Sequence, residues 1–395
     1  MYSWTGPASA WVDGSPLAIR IRVHQNKHAQ ITGKFALPSG TFYVPNTFDI
    51  EGLPGSSMPL LMRAQFGLTT HTMTWDAPGV VQGILARVSW KKTVPDTTLV
   101  DVTWWINRQT DAYTDHFLRR PFSVADGNGV QQNWTASGRP QHHNAVQVTG
   151  LPLGQLNDAM QSVESVCWLL SYATGGLCAV VHVEAQAGSE VVHEEWRAST
   201  PFAAPPYVVP SRQVVDFVRT ALPHFEAQAA VLKLRELIHL NLLARREHNL
   251  TTRALLVAAW LEVLRYNFAM SQPKSYLYDA AHDLFLIWTP GTKKKPGKKK
   301  DPPATFEQIL TDFEHQHKIT GWKPAFKVFR NSTMHTGALT VPNLRDQTNE
   351  VLEHVDRILL ALFQWDKAGG SYVPVTAPVI DTPTRGGTNE LVFVR

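Results

Sequence analysis

The period of the hydrophobic pattern changes partway along the chain, and this change constrains the fold more than any other feature. Residues 18–23 alternate apolar and polar side chains, and residues 99–105 do nearly the same. A period of two is typical of strands with one buried face, and clusters of glycine and proline separate these runs. The sequence therefore predicts an antiparallel β-rich region over residues 1–150, arranged as a sandwich or an open barrel.

Beyond residue 150 the apolar side chains recur every three or four residues, as on one face of a helix. Residues 155–173 follow this spacing up to a glycine pair, and two strands around a turn at residues 187–189 are expected next. Prolines crowd residues 201–210, and proline disrupts both helices and central strands. We therefore expect residues 151–208 to complete the N-terminal region as a helix, a β-hairpin and a linker.

Helical spacing dominates the chain after these prolines. The expected helices cover residues 214–222, 227–243, 253–268, 305–317, 324–335 and 344–365. They form an all-α domain over residues 209–372, followed by a tail over residues 373–395 that is rich in proline, threonine and glycine. The predicted fold class is therefore α+β and multidomain, with a β-rich region before a helical bundle.

Composition excludes several classes of protein. Of 395 residues, 44% are hydrophobic and 18% are charged, which is enough to form packed cores and excludes a disordered chain. The net charge is only +4, so a uniformly basic surface is excluded, whereas a local basic patch is not. Cys167 and Cys178 are too few for a disulfide scaffold or a four-thiolate zinc site, and they indicate a reducing compartment.

The longest uncharged run, residues 166–183, has nearly the length of a membrane span. Polar residues and two glycines interrupt it, so we interpret it as a helix end followed by a buried strand. The N-terminus has no basic segment followed by an apolar one. We therefore expect a cytoplasmic protein without a membrane partner.

Several short motifs fail because of their context. Gly127 and Gly129 lie in a polar turn that opens no helix, unlike a dinucleotide-binding loop. Residues 193–195, His-Glu-Glu, lack the second histidine of a zinc-protease helix, and His315 and His317 face different sides of their expected helix. The sequence therefore predicts no metal site and no cofactor.

One segment, residues 326–337, has side chains suited to RNA cleavage without a metal. That reaction needs a proton acceptor for the 2′-hydroxyl, a cation for the phosphoryl oxygens and a proton donor for the leaving 5′-oxygen. Arg330 is permanently charged and binds phosphate with a fork of donors. His335, with a reference pKa of about 6.5, transfers protons near neutral pH. Asn331 lies four residues before His335, on the same helical face, and can orient the imidazole or the phosphate.

The spacing of this pair restricts how it could form a site. Arg330 and His335 are five residues apart, which places them about 140° apart around an ideal helix. One straight helix would splay the two side chains. We therefore expect either a distorted helix end or a site completed by a second copy of the chain.

Three stretches of the sequence resemble HEPN domains, in particular the ApeA-like HEPN ribonuclease family. Residues 330–335, Arg-Asn-Ser-Thr-Met-His, are similar to the R-x(4–6)-H motif, with a polar residue after the arginine. Residues 260–264, Trp-Leu-Glu-Val-Leu, resemble the ALE-x-L core of the preceding helix, and residues 168–175 resemble the LLSF-x-x-G stretch in front of such domains. The resemblance covers about residues 155–370. The chain departs from the family in having His-Thr-Gly instead of His-Gly and in its lysine-rich insertion.

The resemblance implies a C-terminal HEPN helical bundle with metal-independent endoribonuclease activity. In that family's terms, Arg330 binds the scissile phosphate, His335 is the general acid and base, and Asn331 supports them. Glu262 is expected to be structural and bonded to the motif helix, not catalytic. The family also implies a role in phage defence, abortive infection or toxicity, and a homodimer or higher homo-oligomer formed through the helical domain. The β-rich region would then sense a phage-derived or small-molecule trigger, or restrain activity.

Basic residues around the motif are candidates for binding the RNA backbone. These residues are Lys323, Lys327, Lys293, Lys294, Lys295, Lys298, Lys299 and Lys300. A lysine run of this kind can follow a single strand electrostatically, although it is equally typical of a solvated loop.

Two other functions remain open on the sequence. One is a non-catalytic HEPN dimerisation or nucleotide-binding module with a ligand-sensing β domain. The other is a carbohydrate-binding sandwich fused to a helical bundle. It depends only on tryptophan content, since seven of the 13 tryptophans precede residue 140. Those tryptophans would either fill the core of the sheet or form an aromatic platform for a ligand.

Overall fold

The computed structural model confirms the α+β class, with antiparallel sheet in the first half of the chain and helices in the second. It describes the backbone of the strands within residues 2–91. It describes backbone and side chains over residues 91–107, 121–136, 144–197, 208–287, 303–334 and 343–374. The backbone alone is described at residues 108, 335 and 336.

The first strands pair with one another in antiparallel fashion. They are β1 Tyr2–Val12, β2 Ser15–Gln25, β3 Ile31–Leu37, β4 Gly40–Val44, β5 Thr47–Gly52, β6 Leu61–Phe66, β7 His71–Trp75 and β8 Gly79–Lys91. Strand β8 pairs with both β3 and β6, so the pairings of β8, β3, β2, β1, β5 and β6 form a closed circuit. The strand predicted at residues 18–23 lies within β2.

Six further strands form an antiparallel sheet that is ordered β10-β11-β12-β9-β13-β14 and continues through β14 to β8. They are β9 Leu99–Arg108, β10 Phe122–Ala125, β11 Gln131–Ala136, β12 Asn144–Pro152, β13 Cys178–Ala187 and β14 Glu190–Arg197. The hairpin predicted around residues 187–189 is confirmed. Gly188 occupies its turn with a φ of 62°, a conformation that glycine adopts without steric cost.

Seven α-helices are present in the described part of the chain. They are α1 Leu156–Thr174, α2 Val214–Leu232, α3 Leu234–Arg246, α4 Leu250–Ser271, α5 Phe306–His317, α6 Pro324–Thr336 and α7 Leu344–Leu362. A short hairpin of β15 Tyr276–Asp279 and β16 Leu284–Ile287 follows α4. None of these helices is long and apolar enough to cross a membrane.

Capping residues explain where several helices begin and end. Asn249 accepts a hydrogen bond from the Thr252 backbone N–H at the start of α4, and Thr305 forms a reciprocal capping box with Gln308 at the start of α5. Gly175 ends α1 in the left-handed conformation, with a φ of 68°. These ends agree with the predicted helices to within a few residues.

The predicted break between residues 222 and 227 was wrong, because α2 continues through Pro223. Proline removes the backbone donor to the carbonyl four residues earlier, here Arg219. Both Pro223 and Arg219 are exposed, so water can satisfy that carbonyl. Helix α2 ends instead at Leu232, and Lys233, which has a φ of 56°, separates it from α3. The sequence also gave no indication of the β15–β16 hairpin.

Helix α1 lies between the sheet and the other helices. Its buried Val166 belongs to one apolar cluster that includes Trp104 of the sheet, Phe217 of α2 and Leu359 of α7. Buried Val208 donates its backbone N–H to the Ala173 carbonyl at 3.2 Å. The core therefore continues across the boundary predicted near residue 208, while the domain limits themselves stay a prediction.

The N-terminal tryptophans with described side chains do not share one environment. Trp104 and Trp134 are buried in the main cluster, as expected for residues that fill a sheet core. Trp105 belongs to a smaller cluster with Ala145 and Val181, because neighbouring residues of a strand face opposite sides of the sheet. The side chains of the other four, Trp4, Trp11, Trp75 and Trp90, lie outside the described residues.

Candidate functional site on helix α6

Helix α6, which carries the candidate motif, packs one side against the bundle and exposes another. Phe326 and Phe329 are buried, and Trp322 packs edge-on against Phe326 with ring centroids 5.6 Å apart. Val328 and Met334 are 62% and 43% exposed. The motif residues are therefore on a helix that is anchored by aromatic side chains and that also carries two exposed apolar side chains, about 120° apart around the helix.

Three contacts hold the guanidinium of Arg330. Its Nε forms an ion pair with Glu262 Oε1 on α4, and its Nη1 donates a hydrogen bond to Asn331 Oδ1 at 2.9 Å. Its Cζ lies 5.0 Å from the centroid of the Phe306 ring. The side chain is about one-fifth exposed, so Arg330 is held in position while part of it remains accessible.

Glu262 also binds a second arginine. Its Oε2 accepts a hydrogen bond from Arg265 Nε at 2.9 Å, one turn along α4, and the Arg265 guanidinium lies 5.6 Å from the Phe285 ring centroid. The bond expected between Glu262 and the motif helix is thus present. One carboxylate is shared between two cations, so the group of three side chains keeps a net positive charge.

His335 lies in the last turn of α6, whose backbone stays α-helical through Thr336. Its side chain lies outside the described residues. On this regular helix the positions of Arg330 and His335 are about 140° apart. A distorted helix end and a site completed by a second copy of the chain therefore both stay predictions.

The two described lysines among the RNA-binding candidates pair with surface carboxylates. Lys323 Nζ contacts Glu350 Oε1, and Lys327 Nζ lies 3.2 Å from Glu307 Oε2. The lysine side chains are 56% and 42% exposed. Exposed pairs of this kind contribute only about 0–1 kcal/mol, so a phosphate could replace either carboxylate. The six lysines of the insertion, Lys293, Lys294, Lys295, Lys298, Lys299 and Lys300, lie outside the described residues.

A buried histidine–carboxylate pair supports the start of α6. His354 Nε2 on α7 lies 2.6 Å from Glu314 Oε1 on α5, and the other Glu314 oxygen accepts the Trp322 backbone N–H at 3.2 Å. The His354 ring packs against Phe326 at 5.0 Å between centroids. These contacts connect α5 and α7 to the segment that leads into α6.

A second buried charge pair connects more distant helices. Arg245 on α3 and Asp356 on α7 form an ion pair whose side chains are 1% and 0% exposed. Asn241 Nδ2 donates to Asp356 Oδ1 at 3.0 Å, and the Tyr172 hydroxyl of α1 donates to the Asp356 backbone carbonyl at 3.2 Å. This network joins α1, α3 and α7 and has no residue of the candidate motif.

The structure describes the two helix α5 histidines and the two cysteines that the sequence analysis excluded as metal ligands. His315 is exposed on α5, whereas His317 packs against Phe313 at 4.6 Å between centroids, and burial lowers the pKa of His317. Cys167 and Cys178 are free and buried, and burial raises the pKa of the Cys167 thiol well above its ordinary value.

Two residues of the site were missed from the sequence, Arg265 and Phe306. The spacing of Arg265 three residues after Glu262 was a usable signal, since such pairs meet on a helix surface. Phe306 gave no signal, because it reaches Arg330 only through the packing of α5 against α6. Comparison of the chain with models of known protein families, with curated proteins and with solved structures gave no match in any of the three.

Proposed function

We propose that this chain is a metal-independent endoribonuclease of the HEPN type, with Arg330, Asn331 and His335 of α6 at its active site. The observation that carries the proposal is the fixed guanidinium of Arg330. Glu262, Asn331 and Phe306 hold it before any substrate binds. A cation positioned in advance stabilises developing charge without reorganisation, which is the main requirement of phosphoryl-transfer catalysis.

The chemistry assigns a separate role to each side chain. A guanidinium has five N–H donors, and the contacts to Glu262 and Asn331 leave Nη donors for phosphoryl oxygens. A neutral His335 accepts the proton of the 2′-hydroxyl, and a protonated His335 donates to the leaving 5′-oxygen. The 2′-oxygen forms a bond to phosphorus as the bond to the 5′-oxygen breaks. The products are a 2′,3′-cyclic phosphate and a 5′-hydroxyl.

The angular separation of Arg330 and His335 around α6 favours a homodimer or a higher homo-oligomer. The positions of Arg330 and His335 lie about 140° apart around an ideal helix, whereas two α6 helices related by a two-fold axis could place both motifs at one cleft. Val328 and Met334 provide apolar surface on the same helix. Such an enzyme would act in the cytoplasm as an anti-phage, abortive-infection or toxin effector. The β-rich region would respond to a phage-derived or small-molecule trigger.

The pairing of Arg330 with Glu262 also favours a second candidate function. An arginine with a purely structural role would also pair with a carboxylate, as Arg330 does with Glu262. The chain would then be a non-catalytic HEPN dimerisation or nucleotide-binding module. In that case the β-rich region would sense a ligand and the helical region would only assemble copies of the chain. The two candidate functions differ in whether RNA is cut.

The test incubates the purified full-length protein with total RNA in the presence of EDTA. We expect cleavage by the wild type and a rate at least about 10²-fold lower for His335→Ala, because a proton-transfer group is worth roughly that factor. His315→Ala, which removes an exposed histidine of α5, is the matched control and should cleave like the wild type. Absence of cleavage by the wild type, or full activity of His335→Ala, would favour the non-catalytic module.

A further inference from the structure

A second polar cluster lies on strands β13 and β14, on the face of the sheet opposite α1. Val183 and Ala185 belong to the core that includes α1, so the alternation of the strand places His182 and Glu184 on the other face. His182 is fully buried, and its Nε2 lies 2.9 Å from Glu194 Oε1 on β14. This face therefore combines an imidazole with carboxylates.

Two tryptophans fix the orientation of the His182 ring. Trp105 stacks on it with centroids 4.4 Å apart and planes 20° apart, and Trp196 stacks on it at 4.9 Å and 23°. The three residues are directly opposite one another on β9, β13 and β14. Because both faces of the ring are covered, its nitrogens can interact only in the plane of the ring, where Nε2 points towards a carboxylate.

The two carboxylates of the cluster are cross-strand partners. Glu184 on β13 is directly opposite Glu194 on β14, and the Gln186 side chain donates to Glu184. Like charges directly opposite each other on neighbouring strands destabilise a sheet. A cation bound between the two carboxylates would be attracted by both.

We propose that His182, Glu184 and Glu194 bind a divalent transition-metal ion, with zinc as the best-matched ion. One ligand atom from each residue lies within 4.8 Å of the others. Ligands about 2.1 Å from a tetrahedral ion are about 3.4 Å apart, so modest rotation of the glutamates closes the site. Zinc accepts imidazole nitrogen together with carboxylate oxygen, and three protein ligands leave a coordination position for water or another ligand.

The partial exposure of the carboxylates gives the ion access to this site. The Glu194 side chain is 18% exposed, whereas His182 is 0% exposed. The sequence analysis predicted no metal site, partly because residues 193–195 lack the second histidine of a zinc-protease helix. The structure places those residues in a strand, so that His193 and Glu195 face one side of the sheet and only Glu194 joins His182.

The experiment measures zinc binding by the full-length protein after EDTA treatment and desalting. Isothermal titration with Zn²⁺ should give one equivalent per chain for the wild type. Glu184→Gln and Glu194→Gln should each weaken binding by at least 10-fold, because a neutral amide replaces an anionic ligand. Glu190→Gln is the matched control on β14, since Glu190 is exposed and pairs with Lys92, and it should bind like the wild type.

Thermal melting gives a second readout that does not depend on binding heat. Zn²⁺ should raise the melting temperature of the wild type and of Glu190→Gln, because a ligand that binds only the folded state stabilises it. At the same Zn²⁺ concentration the rise should be smaller for Glu184→Gln and Glu194→Gln, and circular dichroism would establish that both variants are folded. The proposal is overturned if the wild type binds no zinc at 100-fold excess, or if both variants bind with wild-type affinity. Either result is separable from the proposed ribonuclease, whose cleavage is expected to persist in EDTA.

Discussion

Arg330 is held by side chains from three elements, Glu262 on α4, Phe306 on α5 and Asn331 on α6. The sequence supplied the motif residues and the expectation that Glu262 bonds to the motif helix. It did not supply Phe306, because contacts between helices distant in sequence depend on packing and not on local spacing. The distance between Arg330 and Glu262 was likewise not derivable from the spacing of either helix alone.

Glu262→Gln tests the first of these contacts. It removes the only charge that separates Arg265 from Arg330 in this group of three, so the free energy of unfolding should fall by about 1–3 kcal/mol. This loss lies between the values for exposed ion pairs and those for buried ion pairs, because these side chains are 18–19% exposed. Denaturant unfolding measures the change. Glu307→Gln removes an exposed partner of Lys327 and should change stability by less than about 0.5 kcal/mol. Equal effects in the two variants would contradict a special role for Glu262.

Arg330→Lys separates charge from geometry at the same site. Lysine keeps a positive charge near Glu262 but lacks the planar fork that binds phosphate with two parallel hydrogen bonds. We expect RNA cleavage to fall by about 10- to 100-fold, while the free energy of unfolding changes by less than about 1 kcal/mol. Single-turnover cleavage and denaturant unfolding of the same preparation measure the two quantities. A wild-type rate in Arg330→Lys would show that the fork is not needed.

At the scale of elements, helical spacing predicted α4 and α5, and the structure shows a capping residue at the start of each. Asn249 and Thr305 cap α4 and α5 because each supplies a side-chain oxygen to an unpaired backbone N–H. The helix break expected between residues 222 and 227 was wrong, because an exposed proline such as Pro223 costs less when water reaches the freed carbonyl. The β15–β16 hairpin was missed since its strands are only four residues long and show no clear alternation.

The Arg245–Asp356 pair lets the coupling of α3 to α7 be measured. Asp356→Leu leaves the Arg245 charge buried without its carboxylate and should reduce the free energy of unfolding by about 3–5 kcal/mol. The double variant Arg245→Met with Asp356→Leu should recover most of that loss, because apolar replacement of a buried pair is often neutral. A double-mutant cycle from denaturant unfolding gives the coupling energy. A cost below about 1 kcal/mol in the single variant would contradict this assignment.

At the scale of the whole molecule, the sheet, α1 and the helical bundle contribute to one apolar core. The change of hydrophobic period predicted the order of the β-rich and helical parts correctly. The hydrophobic period could not show that α1 packs against both the sheet and the helical bundle. The period identifies the apolar face of a helix but not the element that packs against that face.

We expect copies of the chain to assemble through α6. Light scattering should give a mass at least twice the 44.1 kDa of the chain at concentrations where RNA is cut. Val328→Asp and Met334→Asp, which place charge on exposed apolar positions of α6, should shift the protein towards a monomer and reduce cleavage together. Leu99→Asp, at a position 62% exposed on β9, is the control and should change neither property. An active monomer would contradict the shared cleft.

The most direct test of the proposed function is the chemistry of the cut ends. RNA incubated with the wild type in EDTA would be analysed by mass spectrometry, beside RNA incubated with His335→Ala and with His315→Ala. The proposal predicts 2′,3′-cyclic phosphate and 5′-hydroxyl ends with the wild type and with His315→Ala, and none above background with His335→Ala. Products with 5′-phosphate ends, or intact RNA with the wild type, would contradict it.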